Sequence, residues 1–137
     1  MAAQAGYSGT PLPRKLGFRP GARALYVNAP DGFEALLGEL PAGVRVLARA
    51  AEGLDIVLLF VRERRELERR LPGLHAKLAP DGMVWVAWPK RASKVATDMT
   101  EDVVRAVALP RGLVDVKVCA IDATWSGLKL VIRRELR

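Results

Sequence analysis

Two residue types that build most metal centres and nucleophilic dyads are almost missing. The chain holds one cysteine, Cys119, and one histidine, His75. One cysteine cannot close an internal disulfide, and the pair falls short of a tetrahedral metal site. Cys119 lies in an apolar run and reads as a small buried side chain. His75 falls in a helix-like segment far away in sequence, so it offers no base to a thiol. Long apolar runs are also missing. Nothing approaches the roughly 20 residues that cross a bilayer, so no membrane partner is expected. Met1 to Gly6 has neither a basic start nor an apolar stretch, so no secretory signal is expected and the compartment expected is the cytoplasm.

What is present is the composition of a globular chain. Half of the residues are apolar and 27% are charged, which separates it from disordered sequences. The net charge of +7 permits contact with a polyanion. The positive residues are scattered, however, over 62–70, 90–94 and 133–137. The first group alternates with Glu63, Glu66 and Glu68, as on a solvated helix face.

Residues 1–22 are rich in Gly and Pro and read as an arm or covering segment, with Tyr7, Leu12, Leu16 and Phe18 able to pack on the body. Residues 23–137 read as one α/β domain. Arg23 to Ala29 is the first strand. Asp31 opens a helix, with Glu34 completing a capping box and Phe33, Leu36, Leu37 and Leu40 forming its apolar stripe. Val44 to Ala48 is a second strand. Leu54 to Val61 is almost wholly apolar, as in a strand covered on both faces. A helix over 63–79 carries Leu67, Leu71, Leu74 and Leu78, and Pro72-Gly73 should kink or split it. Pro80-Asp81-Gly82 reads as a turn and Met83 to Trp88 as a strand. Trp85 and Trp88, three apart, point to opposite faces. A helix capped by Asp98 or Thr100 runs to about Leu109. The last two strands, Val114 to Ile121 and Leu128 to Arg134, alternate. Val114, Val116 and Val118 should share one face, and Leu128, Leu130 and Ile132 another. An antiparallel pair at a sheet edge is expected there, with 128–134 exposed and Trp125 in an exposed linker. The second and third strands are too close for an ordinary parallel crossover, so they are either distant in the sheet or joined by a turn across its edge.

Several motifs resemble class I methyltransferases. Lys15 to Val27 is similar to their lead into the first strand. Gly53 to Leu58 and Leu78 to Val86 resemble a later strand and the turn and strand that follow it. The match runs from about 15 to 134, with one strand–helix unit missing from the middle. Gly6 to Leu16, Trp88-Pro89-Lys90 with Thr97-Asp98, and Ala123 to Lys129 also resemble a family of short, uncharacterised bacterial proteins. The resemblance implies a three-layer Rossmann-like fold, with a mostly parallel sheet of about six strands and a C-terminal antiparallel pair.

The same resemblance implies a place for S-adenosylmethionine on the turn after the first strand, with a G-x-G-x-G bend and an acid at the end of the second strand. Here the bend reads Asn28-Ala29-Pro30-Asp31-Gly32, and Pro30 removes a donor. The second strand leads to Arg49, which cannot accept ribose hydroxyls. Asn28 and Glu52 are the residues left to receive such a group. No cofactor is therefore expected. The crevice is expected to gather Asn28, Asp31, Gly32, Arg49 and Trp88. The loop 89–99 should lie beside it, where Lys90, Arg91, Ser93, Lys94 and Thr97 could ring an anion, helped by a helix N-terminus at Thr100. No catalytic residue is singled out. Three readings follow in order: a non-catalytic methyltransferase-like domain binding a small anionic ligand or a protein partner, an S-adenosylmethionine-dependent methyltransferase with an atypical site, and a nucleic-acid-binding module.

Overall fold

Strand-forming runs and amphipathic stretches alternate along the chain, and in the computed structural model they close into one sheet with helices on both sides. The structure describes residues 9–137. In chain order its regular elements are α1 (Leu12–Leu16), β1 (Arg23–Val27), α2 (Phe33–Leu37), β2 (Arg45–Leu47), β3 (Leu54–Phe60), α3 (Arg64–Ala76), β4 (Leu78–Pro89), α4 (Glu101–Ala108), β5 (Leu113–Ala120) and β6 (Trp125–Ile132). The strand order is β2-β1-β3-β4-β6-β5. The first four strands run parallel, and β6 pairs antiparallel with both β4 and β5. Among the described residues no helix is long and apolar enough to cross a membrane, and no group of three His, Cys, Asp or Glu side chains could hold a metal ion.

The sheet is apolar on both faces because helices cover both. On one side α3 and α4 bury Leu67, Leu71, Val104 and Val107 against Val57, Leu59 and Val86. On the other, α1 and α2 bury Leu16, Phe33 and Leu37 against Ile56, Leu58 and Trp85. Trp85 and Trp88 do fall in opposite layers. Trp85 is fully buried, and its Nε1–H donates to the Leu16 carbonyl at 2.7 Å. That bond fastens the segment before β1 to the middle of the sheet. Leu16 and Phe18 are buried there and Leu12 partly so; Tyr7 lies outside the described residues.

Several local expectations are corrected. Asp31 and Glu34 form no capping box. Gly32 takes a left-handed conformation at the N-cap, and α2 is only five residues long. Pro72 does not split α3, which is continuous through it. Pro72 is on the solvent side, where water can take the carbonyl that loses its donor. Pro80-Asp81-Gly82 is not a turn between elements but an irregularity inside β4, where the step from Leu54 to Ile56 faces the step from Leu78 to Met83. A Cβ on Gly82 would stand 2.6 Å from the Leu54 carbonyl oxygen, so glycine is required there. Strands β2 and β3 flank β1 in parallel although only residues 48–53 join them. The short link suffices because β2 has three residues and rises no higher than Leu25.

The C-terminal pair is reversed in position. β6 is interior and β5 forms the edge. A bulge between Asp115 and Lys117 shifts the register, so Val114 pairs with Val131 but Val118 pairs with Leu128. The two valines consequently face opposite sides, and Val116 and Val118 are exposed. Leu128, Leu130 and Ile132 do share a face. Trp125 is buried rather than exposed, because its ring packs edge-on against Phe60 at 5.1 Å.

Replacing Trp85→Phe should lower unfolding stability by about 2–3 kcal/mol, since the Leu16 carbonyl loses its donor in a dry site and the smaller ring leaves a gap. Urea denaturation measures this; an unchanged midpoint would show that the bond does not anchor the N-terminal segment.

Candidate functional site

In a mostly parallel sheet, ligands are received beyond the carboxyl ends of the strands. Among the described residues, three depressions at that edge bear on the expected crevice, and its residues are divided among them. Asp31 and Arg49 are exposed and line none of the three.

The central depression, about 390 Å³, lies beyond β1 and β3 and is bounded by Asn28, Pro30, Phe60, Arg62, Glu63 and Glu66. Asn28 follows β1 with φ 60°, a left-handed conformation that asparagine tolerates better than most residues. Its Nδ2–H₂ donates to Glu66 Oε2 at 2.8 Å and also reaches the Phe60 carbonyl at 3.5 Å. The first turn of α3 is thereby tied across the space between the strand ends. Beneath it runs a row of edge-to-face rings: Tyr26 on Phe33 at 5.2 Å, Phe33 on Phe60 at 5.0 Å, and Phe60 on Trp125. Each such pair contributes about 0.5–1.5 kcal/mol beyond its buried area. The sequence reading missed this row because its members come from four separate segments.

The second depression, about 460 Å³, lies between α2 and β2 and includes Tyr26, Ala29, Gly32, Glu34, Val46 and Leu47. Tyr26 is half-buried, yet its hydroxyl is buried and has no hydrogen-bond partner among the described residues. Burial, then the nearby Glu34 carboxylate, pushes its pKa up to about 12.

The third, about 570 Å³, lies under the loop 89–99. Trp88, Lys90, Arg91, Lys94, Thr97 and Met99 contribute to it. The loop is pinned by its own polar groups. Ser93 Oγ donates to the Lys90 carbonyl and Thr97 Oγ1 to the Arg62 carbonyl, each at 2.6 Å. Of the two caps expected for α4, Asp98 instead accepts from the Arg64 N–H at the start of α3 (2.8 Å). Thr100 caps α4, accepting from Val103 N–H at 3.1 Å, and the first turn carries Glu101 and Asp102. The helix dipole already meets the protein's own acids there. Both acids bond Arg105, which also bonds Asp115 of β5 at 3.0 Å. Among the described residues Lys90, Arg91 and Lys94 form no ion pair, and neither does Asp98, whose carboxylate lines the same basin together with that of Glu101.

An adenosyl group does not fit this edge. The gap between the β1 and β3 ends is bridged by Asn28 and Glu66. Arg49, not an acid, follows β2 and is exposed. Glu52 is at the wrong end: its carbonyl accepts from Arg23, which opens β1, and its carboxylate meets Lys77, which precedes β4. The carboxylate present near the β2 end is Glu34, which belongs to α2.

The fold and its strand order define a class, the methyltransferase-like α/β proteins. The chain resembles in structure a protein of Sulfolobus solfataricus described as a type 11 methyltransferase (TM-score 0.63, 14% identity, 88% of this chain and 89% of that one). It also resembles the ribosomal protein L11 methylase of Lactobacillus delbrueckii subsp. bulgaricus (0.61, 11%, 90% and 75%). A third similar structure is the N-methyltransferase NodS of Bradyrhizobium japonicum (0.58, 14%, 88% and 90%). No curated protein sequence matches the chain. Residues 43–134 match the family described as "Protein of unknown function (DUF3052)", and the chain belongs to that family.

The buried phenol gives a pH test. A raised folded-state pKa means that folding favours neutral Tyr26, so its contribution is complete below pH 10 and is lost as pH rises from 10 toward about 12. In Tyr7→Phe, where Tyr26 is the remaining tyrosine, ultraviolet titration of phenolate should show a midpoint near 12 while the protein stays folded. A midpoint near 10 would contradict the burial of that hydroxyl.

Proposed function

We propose that this is a non-catalytic, methyltransferase-like domain that binds a small anionic ligand in the basin beneath residues 89–99. The observation that carries the reading is a contrast along one edge. The place for a nucleoside is crossed by the Asn28–Glu66 bond, whereas the larger neighbouring basin carries Lys90, Arg91 and Lys94, none of them in an ion pair among the described residues, beside Asp98, which is held by the Arg64 N–H, and Glu101, which is held by Arg105. The backbone there is held by Ser93, Thr97 and Asp98, so little loop ordering would be needed on binding. Flexible ammonium groups and one guanidinium suit phosphate oxygens. Trp88 supplies an apolar floor for a ligand body, and Thr97, committed to Arg62, acts through the loop's shape rather than as a donor.

Among the described residues no histidine or cysteine lines the basin. Ser93 donates to a carbonyl, and His75 is on α3, in a different depression. The chemistry available is therefore electrostatic binding.

Thermal unfolding with inorganic pyrophosphate and with a nucleoside diphosphate tests the proposal. Ligand at ten times Kd adds about 1.4 kcal/mol, which is about 4 °C for a chain of this length. The triple variant Lys90→Ala, Arg91→Ala, Lys94→Ala should lose that shift. No shift in the parent protein, or an equal shift in the variant, would refute the basin as a binding site.

A further inference from the structure

The opposite end of the sheet carries a further concavity of different chemistry, about 590 Å³ in volume. Its apolar wall is made by Pro72, Leu78, Pro80, Ile132 and Leu136, with the His75 ring among them. The volume falls in the range of small-molecule sites, about 300–1,000 Å³.

The wall has a specific construction. Gly112 has φ +90°, and a Cβ there would meet Leu136 Cδ1 at 2.7 Å. The turn Arg134–Leu136 thus brings the Leu136 side chain against Gly112. The Arg133 N–H donates to the Gly112 carbonyl at 3.0 Å and secures that approach. Leu136 remains 55% exposed, so this leucine lines the concavity instead of filling it.

Two guanidinium groups border the apolar wall, Arg111 and Arg137. Each is steadied by one bond to the backbone. Arg111 Nη1 donates to the Val107 carbonyl, and Arg137 Nε donates to the Ile132 carbonyl at 2.7 Å. A guanidinium has five N–H donors, so most remain available. Neither forms an ion pair among the described residues. Residues 1–8 contain no Asp or Glu, and among the described residues no Asp or Glu side chain lines the concavity. Burial lowers the pKa of His75, so at neutral pH the ring adds apolar surface.

From these features we infer that the concavity is a binding site for an amphipathic carboxylate, an acyl or aryl acid whose hydrocarbon body lies on Leu78, Ile132 and Leu136. Its carboxylate is taken by the forked donors of Arg111 and Arg137. A neutral ligand of the same shape would leave both guanidiniums without their anion. This site is independent of the basin under residues 89–99, from which it differs in its walls, its cations and its end of the sheet.

His75 is the single histidine, so its imidazole C–H signals report the site without ambiguity. Titration by NMR with 2-naphthoate should move them saturably, whereas uncharged 2-naphthylmethanol should bind at least tenfold more weakly. Arg111→Gln with Arg137→Gln should remove that preference while leaving the binding of 2-naphthylmethanol unchanged. The comparison of the two ligands needs no variant and stands even if the double variant unfolds. Absence of a saturable shift with millimolar naphthoate, equal affinity for the two ligands, or a folded double variant that keeps the preference would overturn the assignment.

Discussion

Asn28 reaches from the end of β1 to Glu66 in the first turn of α3, and this bridge sets the shape of the carboxyl edge. An asparagine accepts the left-handed backbone that the bend requires and still supplies an amide donor. The bond ties together two elements between which a ligand would otherwise enter. With the bend held this way, α2 begins late at Phe33 and stays short, and its Phe33 ring inserts between Tyr26 and Phe60. The aromatic row then continues to Trp125, so the loop before β6 is drawn inward. One polar contact and one row of rings thus divide this edge into separate depressions instead of one continuous crevice.

The rest of the architecture supports that edge without needing a ligand. Apolar residues of β3 and β4 lie between two helical layers, and the Trp85 indole fixes α1 on one of them. On the other, Arg105 gathers Glu101, Asp102 and Asp115 and joins α4 to the edge strand. The described residues contain no buried polar or charged side chain. Charge and open volume are left at the two ends of the sheet, which are the places where binding is proposed.

Much of the fold was legible because its signals are local and redundant. The buried run at 54–60, the leucine spacing of α3 and the alternation of β6 each name one element type. The methyltransferase-like motifs then supplied their order. What escaped depended on contacts between distant segments. The bulge near Val116 reversed the face of Val118 and cannot be read from alternation alone. Trp125 looked exposed because its partner Phe60 is far away in sequence. Pro72 looked disruptive because the exposure of its helix side was unknown. For the site, the loss of the glycine bend and of an acid after β2 was visible in Asn28 to Gly32 and in Arg49. The bridge to Glu66 was not, and neither was the division of Asn28, Gly32 and Trp88 among three separate depressions.

The claim that protein side chains have taken the cofactor's place is tested most directly by calorimetric titration with S-adenosylmethionine and S-adenosylhomocysteine. The bridged edge predicts no binding heat up to millimolar ligand, at more than one temperature so that a zero enthalpy does not hide an interaction. Saturable binding of either compound that is weakened by altering Glu34 or Tyr26 would contradict it, for an adenosyl group would then be seated beside the very bend that Asn28 is held to close.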